Sequence, residues 1–414
     1  MINPLVMFKI HYIFTFTMAG YFMYLFMKKK FGFFPSFVSA LVFMFSLANT
    51  VRVNGSLAFV VVYAFIPLSF LIIDEIINGK IFYFIFLSLI MFFQLSAGHP
   101  QFFLYSSTGL FFYFVYKFFT NKFPWKSLLS VGVSAVLFFI MCIPTIIPFY
   151  TEIAGMGKAS AGFVYMKSMP LTVTHFITII MPNFFGSLVN GTYWGPPNYS
   201  ELSIYLGIFP LLLIIVSFLF KKDKSYYFFL FLTLFALVFS ISESVQWFFF
   251  NYIPLYELFR VPARMLILYS FSMSVLAGYG ANVLFTKDNS MLIKVLAVIS
   301  SLSILTSVFV VVGKNLILSV GERVLNHLYY VVYADSIFVS VNSFEGLLPL
   351  IEPAYGQILF SIIVFTGIII FSLGIFWLIG KRNTNSIYNK LLIILLILTD
   401  LWIFGIQFTV YKGW

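Results

Sequence analysis

Long apolar segments follow one another along almost the whole chain, and mostly short polar turns separate them. A helix of about 20 apolar residues, rising 1.5 Å per residue, crosses the hydrocarbon core of a bilayer. Of the 414 residues, 62% are hydrophobic and only 9% are charged, which is too few charges for the surface of a water-soluble protein. We therefore predict an all-α polytopic membrane protein with about 12 transmembrane helices, at residues 10–27, 33–50, 56–73, 81–97, 101–119, 127–149, 203–220, 226–241, 263–285, 291–312, 355–379 and 391–411.

Lysine and arginine are distributed unevenly between the two sides that these helices define. The short loops on one side carry basic clusters, such as those at 28–30 and 221–224. The other side holds three long loops, at 150–202, 242–262 and 313–354. Because basic short loops remain in the cytoplasm, we expect all three long loops to lie outside the cell membrane.

The net charge of +11 follows from this orientation and does not indicate binding to nucleic acid. We predict that residues 1–414 form a single transmembrane domain of a multi-pass cell-membrane protein, whose surroundings are the lipid bilayer. Eight of the 13 acidic residues fall in the outer loops, so polar chemistry is concentrated outside. Loops held by a rigid scaffold are a common place for binding and catalysis.

The beginning of the chain fits this topology poorly. Its first helix would run from outside to inside, yet the opening "MINPLVMFKIHY" lacks the basic region and cleavage site of a signal peptide. Either the topology is inverted at the start, or a helix and an outer loop precede Met1. We expect the second alternative.

The first of the three long outer loops, 150–202, has a composition that suits sugar recognition. It contains "MPNFFGSLVNGTYWGPPNYSELS", in which Asn183, Tyr199 and Glu201 represent the amide, aromatic and acidic types. Aromatic rings stack on sugar faces, whereas amides and carboxylates bond to hydroxyl groups. The alternative interpretation is a belt of Trp and Tyr at the membrane interface with Gly-Pro turns.

Two arginines lie four residues apart in "YELFRVPARM", before the apolar segment at 263–285. Arg264 falls in the expected first helical turn, and Arg260 precedes it. Guanidinium groups beside free N–H groups can form a binding site for phosphate. The alternatives are that the arginines reach lipid headgroups, or that Arg260 pairs with Glu257.

The stretch "AGHPQ" interrupts two apolar segments on the outer side. Pro100 can start a helix and Gly98 can form the turn, so His99 and Gln101 should lie at a helix mouth below the outer loops. A lone histidine there is either a structural hydrogen-bonding group or part of the site. The four histidines are scattered, so we expect no metal site, and no motif indicates a cofactor.

Asp400 lies within the last apolar segment. An acidic residue inside a membrane is a functional candidate, and the alternative is that it caps or pairs internally.

Five stretches resemble, in this order, segments of the bacterial YfhO membrane protein family: "SAGHPQFFLYS", "MPNFFGS", "ELSIYLGIFPLLL", "FRVPARMLILYSFSMSVLAGYGANVL" and "TDLWIFGIQF". The resemblance covers most of the chain. That family is similar to the GT-C glycosyltransferases, membrane enzymes that take a sugar from a polyprenyl-phosphate carrier. The resemblance therefore implies a GT-C-like helical core.

The resemblance also implies what these 414 residues lack. GT-C enzymes usually carry a catalytic acid in the first outer loop, after the first helix. The first helix here resembles the family's second, so we expect that the N-terminal helix, that loop and a C-terminal exterior domain are missing. No catalytic residue is assigned. The resemblance favours Arg260 and Arg264 as ligands of the carrier phosphate, and His99 and Glu201 as lining of the outer cavity.

These observations predict a membrane glycosyltransferase that moves a sugar from a polyprenyl-phosphate carrier to an acceptor of the cell envelope. The expected substrate-binding residues are Arg260, Arg264, His99, Gln101, Glu201, Tyr199 and Asn183. The alternatives are a transporter or flippase of lipid-linked precursors, which would need charged residues in several helices, and a non-catalytic membrane scaffold.

Overall fold

The computed structural model describes residues 4–53, 57–120, 124–155, 162–186, 192–195, 199–218, 223–285, 290–328, 349, 351–381 and 386–409. Within these ranges all regular secondary structure is helical. Four short 3₁₀ segments accompany the α-helices, which are α1 (Pro4–Lys28), α2 (Phe33–Phe45), α3 (Leu47–Val53), α4 (Leu57–Ile77), α5 (Phe84–Ser96), α6 (Pro100–Thr120), α7 (Trp125–Gly155), α8 (Gly162–Met166), α9 (Tyr199–Leu202), α10 (Ile208–Phe218), α11 (Lys224–Ile241), α12 (Glu243–Tyr252), α13 (Leu266–Leu284), α14 (Ser290–Val312), α15 (Lys314–Leu328), α16 (Ile351–Lys381) and α17 (Ile387–Thr409).

Each of the predicted apolar segments falls on a helix of this structure. Among the described residues, nine helices are long and apolar enough to cross a membrane. Two further apolar helices, Ile81–Ser96 and Ile208–Phe218, are shorter. The predicted all-α polytopic membrane protein is thereby confirmed, with fewer full-length spans in the described ranges than the apolar runs suggested.

Two of the helices differ from the ranges predicted from the sequence. The segment 33–50 is broken at Ser46, whose backbone is extended at φ −54° and ψ 140°. Asn49 stabilises the break because its side-chain amide donates to the main-chain oxygen of Phe43 at 2.8 Å. The predicted helix 203–220 begins only at Ile208, because Gly207 adopts a φ of +102°.

The three outer loops contain helices of their own. In 242–262 lies α12, in 313–354 lies α15, and α7 continues into 150–202 as far as Gly155. Parts of these loops lie outside the described residues, namely 156–161, 187–191, 196–198, 329–348 and 350.

Helix α13 is the centre of the bundle, packed against α2, α10 and α11. Small residues allow this close packing. A Cβ on Gly278 would lie 3.2 Å from the main-chain oxygen of Pro35 in α2, and a Cβ on Gly280 would overlap the backbone of Leu213 in α10. Tight helix contacts of this kind are typical of membrane bundles, where burial from water does not drive association.

The turn between α5 and α6 forms as its sequence predicted. Pro100 is the first residue of α6, and Gly98 turns the chain with a φ of +94°. Helices α5 and α6 then lead the chain back to the end of α4, where α7 begins. Ser127 at the start of α7 donates to the main-chain oxygen of Ile76 at the end of α4, at 2.8 Å.

Asp400 is fully buried, and its carboxylate caps the start of α10. It accepts the main-chain N–H of Phe209 at 2.9 Å and the hydroxyl of Tyr205. The structure thus supports the interpretation that Asp400 pairs internally. These hydrogen bonds satisfy one of the free N–H groups at the helix start, inside the bundle.

Replacement of Asp400 by alanine is expected to lower the free energy of unfolding by about 2 kcal/mol, because a buried hydroxyl and a buried N–H lose their acceptor. Asp400→Asn keeps an acceptor oxygen and should remain closer to the wild type. Thermal unfolding of the purified protein in detergent measures both. If the asparagine variant were as unstable as the alanine variant, the charge itself would be required.

Candidate functional site

Glu201 of α9 lies between two arginines at the outer end of the bundle. Its Oε1 accepts the Nε–H of Arg264 at 2.7 Å, and its Oε2 lies 3.6 Å from Nε of Arg52. Nη2 of Arg52 also donates to the main-chain oxygen of Glu201 at 2.8 Å. Arg52 is 3% exposed and Glu201 8%, so both charges are removed from water. A buried carboxylate held by two guanidinium groups is a charge-assisted network.

Gln101 links this network to the first turn of α6. Its side-chain oxygen accepts from Nη1 of Arg264 at 2.7 Å. Its amide nitrogen donates to the hydroxyl of Tyr105 at 3.0 Å and to the main-chain oxygen of Arg260. Gln101 therefore fixes both the side chain of Arg264 and the backbone beside Arg260.

The chain reaches this position through a strained turn. Val261, between the two arginines, has a φ of 62°, in the left-handed region that β-branched residues avoid. Pro262 then opens a short 3₁₀ helix, Pro262–Met265, that leads into α13. Strain of this kind persists only where the surroundings hold it, and it often lies beside functional groups.

Arg260 is the most accessible of the three arginines. Its side chain is exposed, and its guanidinium carbon lies 5.5 Å from the ring centre of Tyr165. Arg264 has a side chain 19% exposed and lies 5.5 Å from the ring centre of Phe102. Arg260 is therefore fully open at the surface, whereas Arg264 is only partly accessible.

His99 adjoins the same arginine. Its ring centre lies 4.3 Å from that of Phe102. Burial, and secondly the charge of Arg264, lower the pKa of His99 from 6.5 to about 4. His99 is therefore neutral at pH 7 and adds no charge to the site.

We refer to Arg52, Gln101, Glu201, Arg260 and Arg264 as the outer cluster. It contains three guanidinium groups and one carboxylate, which gives a formal excess of positive charge. Guanidinium groups bind phosphate and carboxylate oxygens through paired hydrogen bonds, so this excess suits an anionic ligand. In the part of the chain that the structure describes, no three His, Cys, Asp or Glu side chains lie close enough to hold a metal ion.

The structure brings together most of the residues that the sequence singled out. Arg264, Glu201 and Gln101 are in direct contact, and His99 and Arg260 lie beside them. Asn183 and Tyr199 are placed differently. Asn183 is 0% exposed, and Tyr199 lines a small closed cavity of ≈ 10 Å³ with His175. Both belong to the loop 150–202 itself, and a sugar-binding role for them stays a prediction.

Sequence reasoning missed Arg52. This arginine ends the apolar segment Phe33–Arg52, and such a terminal charge is ordinarily read as an anchor at the membrane surface. Its burial and its contact with Glu201, 149 residues away, were not visible in the sequence. The available signal was a single charge directly after 21 uncharged residues, 31–51.

Comparison with protein-family models, with curated proteins and with solved structures finds no match to this chain.

Proposed function

We propose that this chain is the membrane core of a glycosyltransferase in the cell membrane, which moves a sugar from a polyprenyl-phosphate carrier to an acceptor of the cell envelope. The observation that carries the proposal is the outer cluster, where Arg264 and the buried Arg52 contact the carboxylate of Glu201, and Gln101 links Arg264 to the backbone of Arg260. The resemblance of five sequence stretches to the YfhO family, and through it to the GT-C enzymes, supports the same activity.

The chemistry of transfer explains why arginines are needed. As the bond between the sugar and the carrier phosphate breaks, negative charge grows on the departing phosphate oxygen. Arg264, which is mostly shielded from water and held by Glu201 and Gln101, offers an oriented donor for that charge, and the exposed Arg260 offers a second guanidinium group beside it. Donors that are already oriented stabilise the transition state without reorganisation.

Glu201 and Gln101 act as positioning residues in this scheme. Both accept from Arg264, and Gln101 also holds the backbone of Arg260. Glu201 is engaged by guanidinium groups, so we do not assign it as the base that takes the proton of the acceptor.

A transporter or flippase is the second candidate, and the packing of the bundle disfavours it. A path across the membrane would run from the outer cluster past α4 and α13. Between the two ends the rings of Phe26, Phe70, Phe229 and Phe271 pack against one another, with ring centres 4.8 to 6.5 Å apart. All four are buried. These rings fill the interior of the bundle between α1, α4, α11 and α13, which disfavours an open path through it.

Arg260→Ala is expected to reduce sugar transfer about 10- to 100-fold, since the transition state loses a charge-assisted donor. Arg260→Lys keeps the charge without the paired hydrogen bonds and should retain part of the activity. The assay is transfer of radiolabelled sugar from a polyprenyl-phosphate donor in native membranes, normalised to the inserted protein.

Arg323→Ala is the matched control, because Arg323 is also exposed and lies in α15 of an outer loop. Its transfer rate should equal that of the wild type. Unchanged transfer by Arg260→Ala, with normal insertion, would contradict the role of Arg260 at the carrier phosphate.

A further inference from the structure

A second polar cluster lies at the opposite end of the bundle from the outer cluster. A cavity of ≈ 440 Å³ opens between the ends of α1, α4, α6 and α13 and the start of α11. Apolar side chains such as Phe229 and Val275 form part of its wall. The polar lining includes Lys29, Lys30, Asp74, Asn78, Lys117 and Ser225. The volume is within the range of small-molecule sites, about 300–1,000 Å³.

Asp74 and Asp223 each receive several donors at this cavity. Nζ of Lys117 lies 2.7 Å from Oδ1 of Asp74, which also accepts the hydroxyl of Tyr113 at 2.9 Å. Nζ of Lys30 lies 2.5 Å from Oδ2 of Asp223. Asp223 further accepts the hydroxyl of Tyr279 and the main-chain N–H of Tyr226, both at 2.9 Å. Donors therefore outnumber the carboxylate oxygens that they face.

The ammonium groups are also in excess. Glu75 pairs with Lys29 and, at 2.7 Å, with Lys80. Of these groups, Lys29, Lys30, Lys117 and Asp74 line the cavity, so three ammonium groups and one carboxylate lie at its wall. Burial lowers the pKa of Lys29 and of Lys30 from 10.5, which shows that the cavity opposes their positive charge. An anion in the cavity would offset this unfavourable effect.

We propose that this cavity binds a phosphate-bearing ligand, whose phosphate oxygens accept hydrogen bonds from Lys30, Lys117 and Ser225. An ammonium group has three donors, so each lysine can keep its carboxylate partner and still donate to a phosphate. The apolar wall gives room for the remainder of the ligand. The bound species is either a soluble phosphate ester or the headgroup of an anionic lipid.

This site is independent of the proposed sugar transfer. Helix α6 carries Gln101 of the outer cluster in its first turn and Lys117 of the cavity near its end. The two residues are separated by roughly 24 Å at 1.5 Å per residue. The basic short loops that predict the cytoplasmic side lie at the cavity end. A ligand here would therefore be drawn from the cytoplasm or from the inner leaflet.

The test is ligand-dependent thermal unfolding of the full chain in a maltoside detergent, which itself carries no phosphate. One arm titrates glycerol 3-phosphate against sodium chloride of equal ionic strength. The other arm adds phosphatidic acid, with phosphatidylcholine as the comparison lipid. We expect a saturable rise of the melting temperature in at least one arm. A rise with glycerol 3-phosphate identifies a soluble ester, and a rise with phosphatidic acid alone identifies a lipid headgroup.

Variants assign the binding to the cavity. Lys117→Gln and Asn78→Asp should weaken the apparent affinity by roughly tenfold or more, because one removes a charged donor and the other adds a negative charge at the wall. Asn78 is exposed at the end of α4, so its replacement keeps the test available if Lys117→Gln fails to fold. Lys126→Gln, at an exposed lysine of the same side, is the control and should bind as the wild type does.

Two results would overturn the proposal. One is a melting temperature that neither glycerol 3-phosphate nor phosphatidic acid raises beyond its comparison. The other is an equal loss of affinity in Lys117→Gln, Asn78→Asp and Lys126→Gln, which would indicate general charge attraction at the membrane surface.

Discussion

Glu201→Ala is expected to destabilise the folded protein by about 3–5 kcal/mol, because it leaves the buried guanidinium group of Arg52 and the partly buried one of Arg264 without their carboxylate. Arg52 has a side chain 2% exposed and Arg264 19%, so water cannot replace the lost partner of Arg52. The two positive charges would then face each other across the vacated space. Thermal unfolding in detergent measures the loss of stability.

Sugar transfer should fall as well in Glu201→Ala, since Arg264 loses the acceptor that orients its Nε–H. Glu201→Gln keeps a neutral acceptor of similar size and should fall between the alanine variant and the wild type. The double variant Glu201→Gln with Arg52→Gln removes one charge of each sign. It should recover part of the stability that Glu201→Gln loses.

The matched control is Glu243→Ala. Glu243 also pairs with a cation, Lys167 at 3.1 Å, but its side chain is 62% exposed. Exposed pairs of this type contribute about 0–1 kcal/mol, so the control should unfold close to the wild type. Equal melting temperatures for Glu201→Ala and Glu243→Ala would show that the outer cluster does not need its carboxylate.

The all-α polytopic architecture and the positions of most long helices were predictable because burial in lipid requires long uninterrupted apolar segments. The break at Ser46 and the late start at Ile208 were not. Both depend on polar side chains that satisfy the backbone from within the bundle: Asn49 bonds to Phe43, and Asp400 reaches Phe209 from 191 residues away. Apolar periodicity contains no information about such partners.

The sequence predicted most residues of the outer cluster, but it did not predict which of them contact one another. Arginine beside a helix start and His-Pro-Gln at a helix mouth indicated chemistry from residue type and position alone. The partners of Arg264 lie 63 and 163 residues away. From the sequence, the expected partners of the two arginines were a phosphate or lipid headgroups, and for Arg260 also Glu257. Such contacts arise from how the helices pack, so Arg52 was missed and the burial of Asn183 was unexpected.

Gly280→Ala is expected to destabilise the protein by about 3 kcal/mol, since it forces apart the two helices at the centre of the bundle. The added Cβ would overlap the main-chain oxygen and carbon of Leu213 and lie 3.0 Å from its Cα. Backbone atoms of α10 cannot rotate away as a side chain would, so the whole helix must shift. Thermal unfolding in detergent is again the measurement.

Gly367→Ala is the control, because Gly367 is an exposed helical glycine of α16 with nothing within 4 Å of its added Cβ. Alanine is favoured over glycine in a helix by about 1 kcal/mol, so this variant should be at least as stable as the wild type. The difference between the two variants isolates the close approach of α10 and α13 from helix propensity. Equal melting temperatures for Gly280→Ala and Gly367→Ala would contradict the close packing of α10 and α13. That packing positions the start of α13, and Arg264 before it, against Glu201.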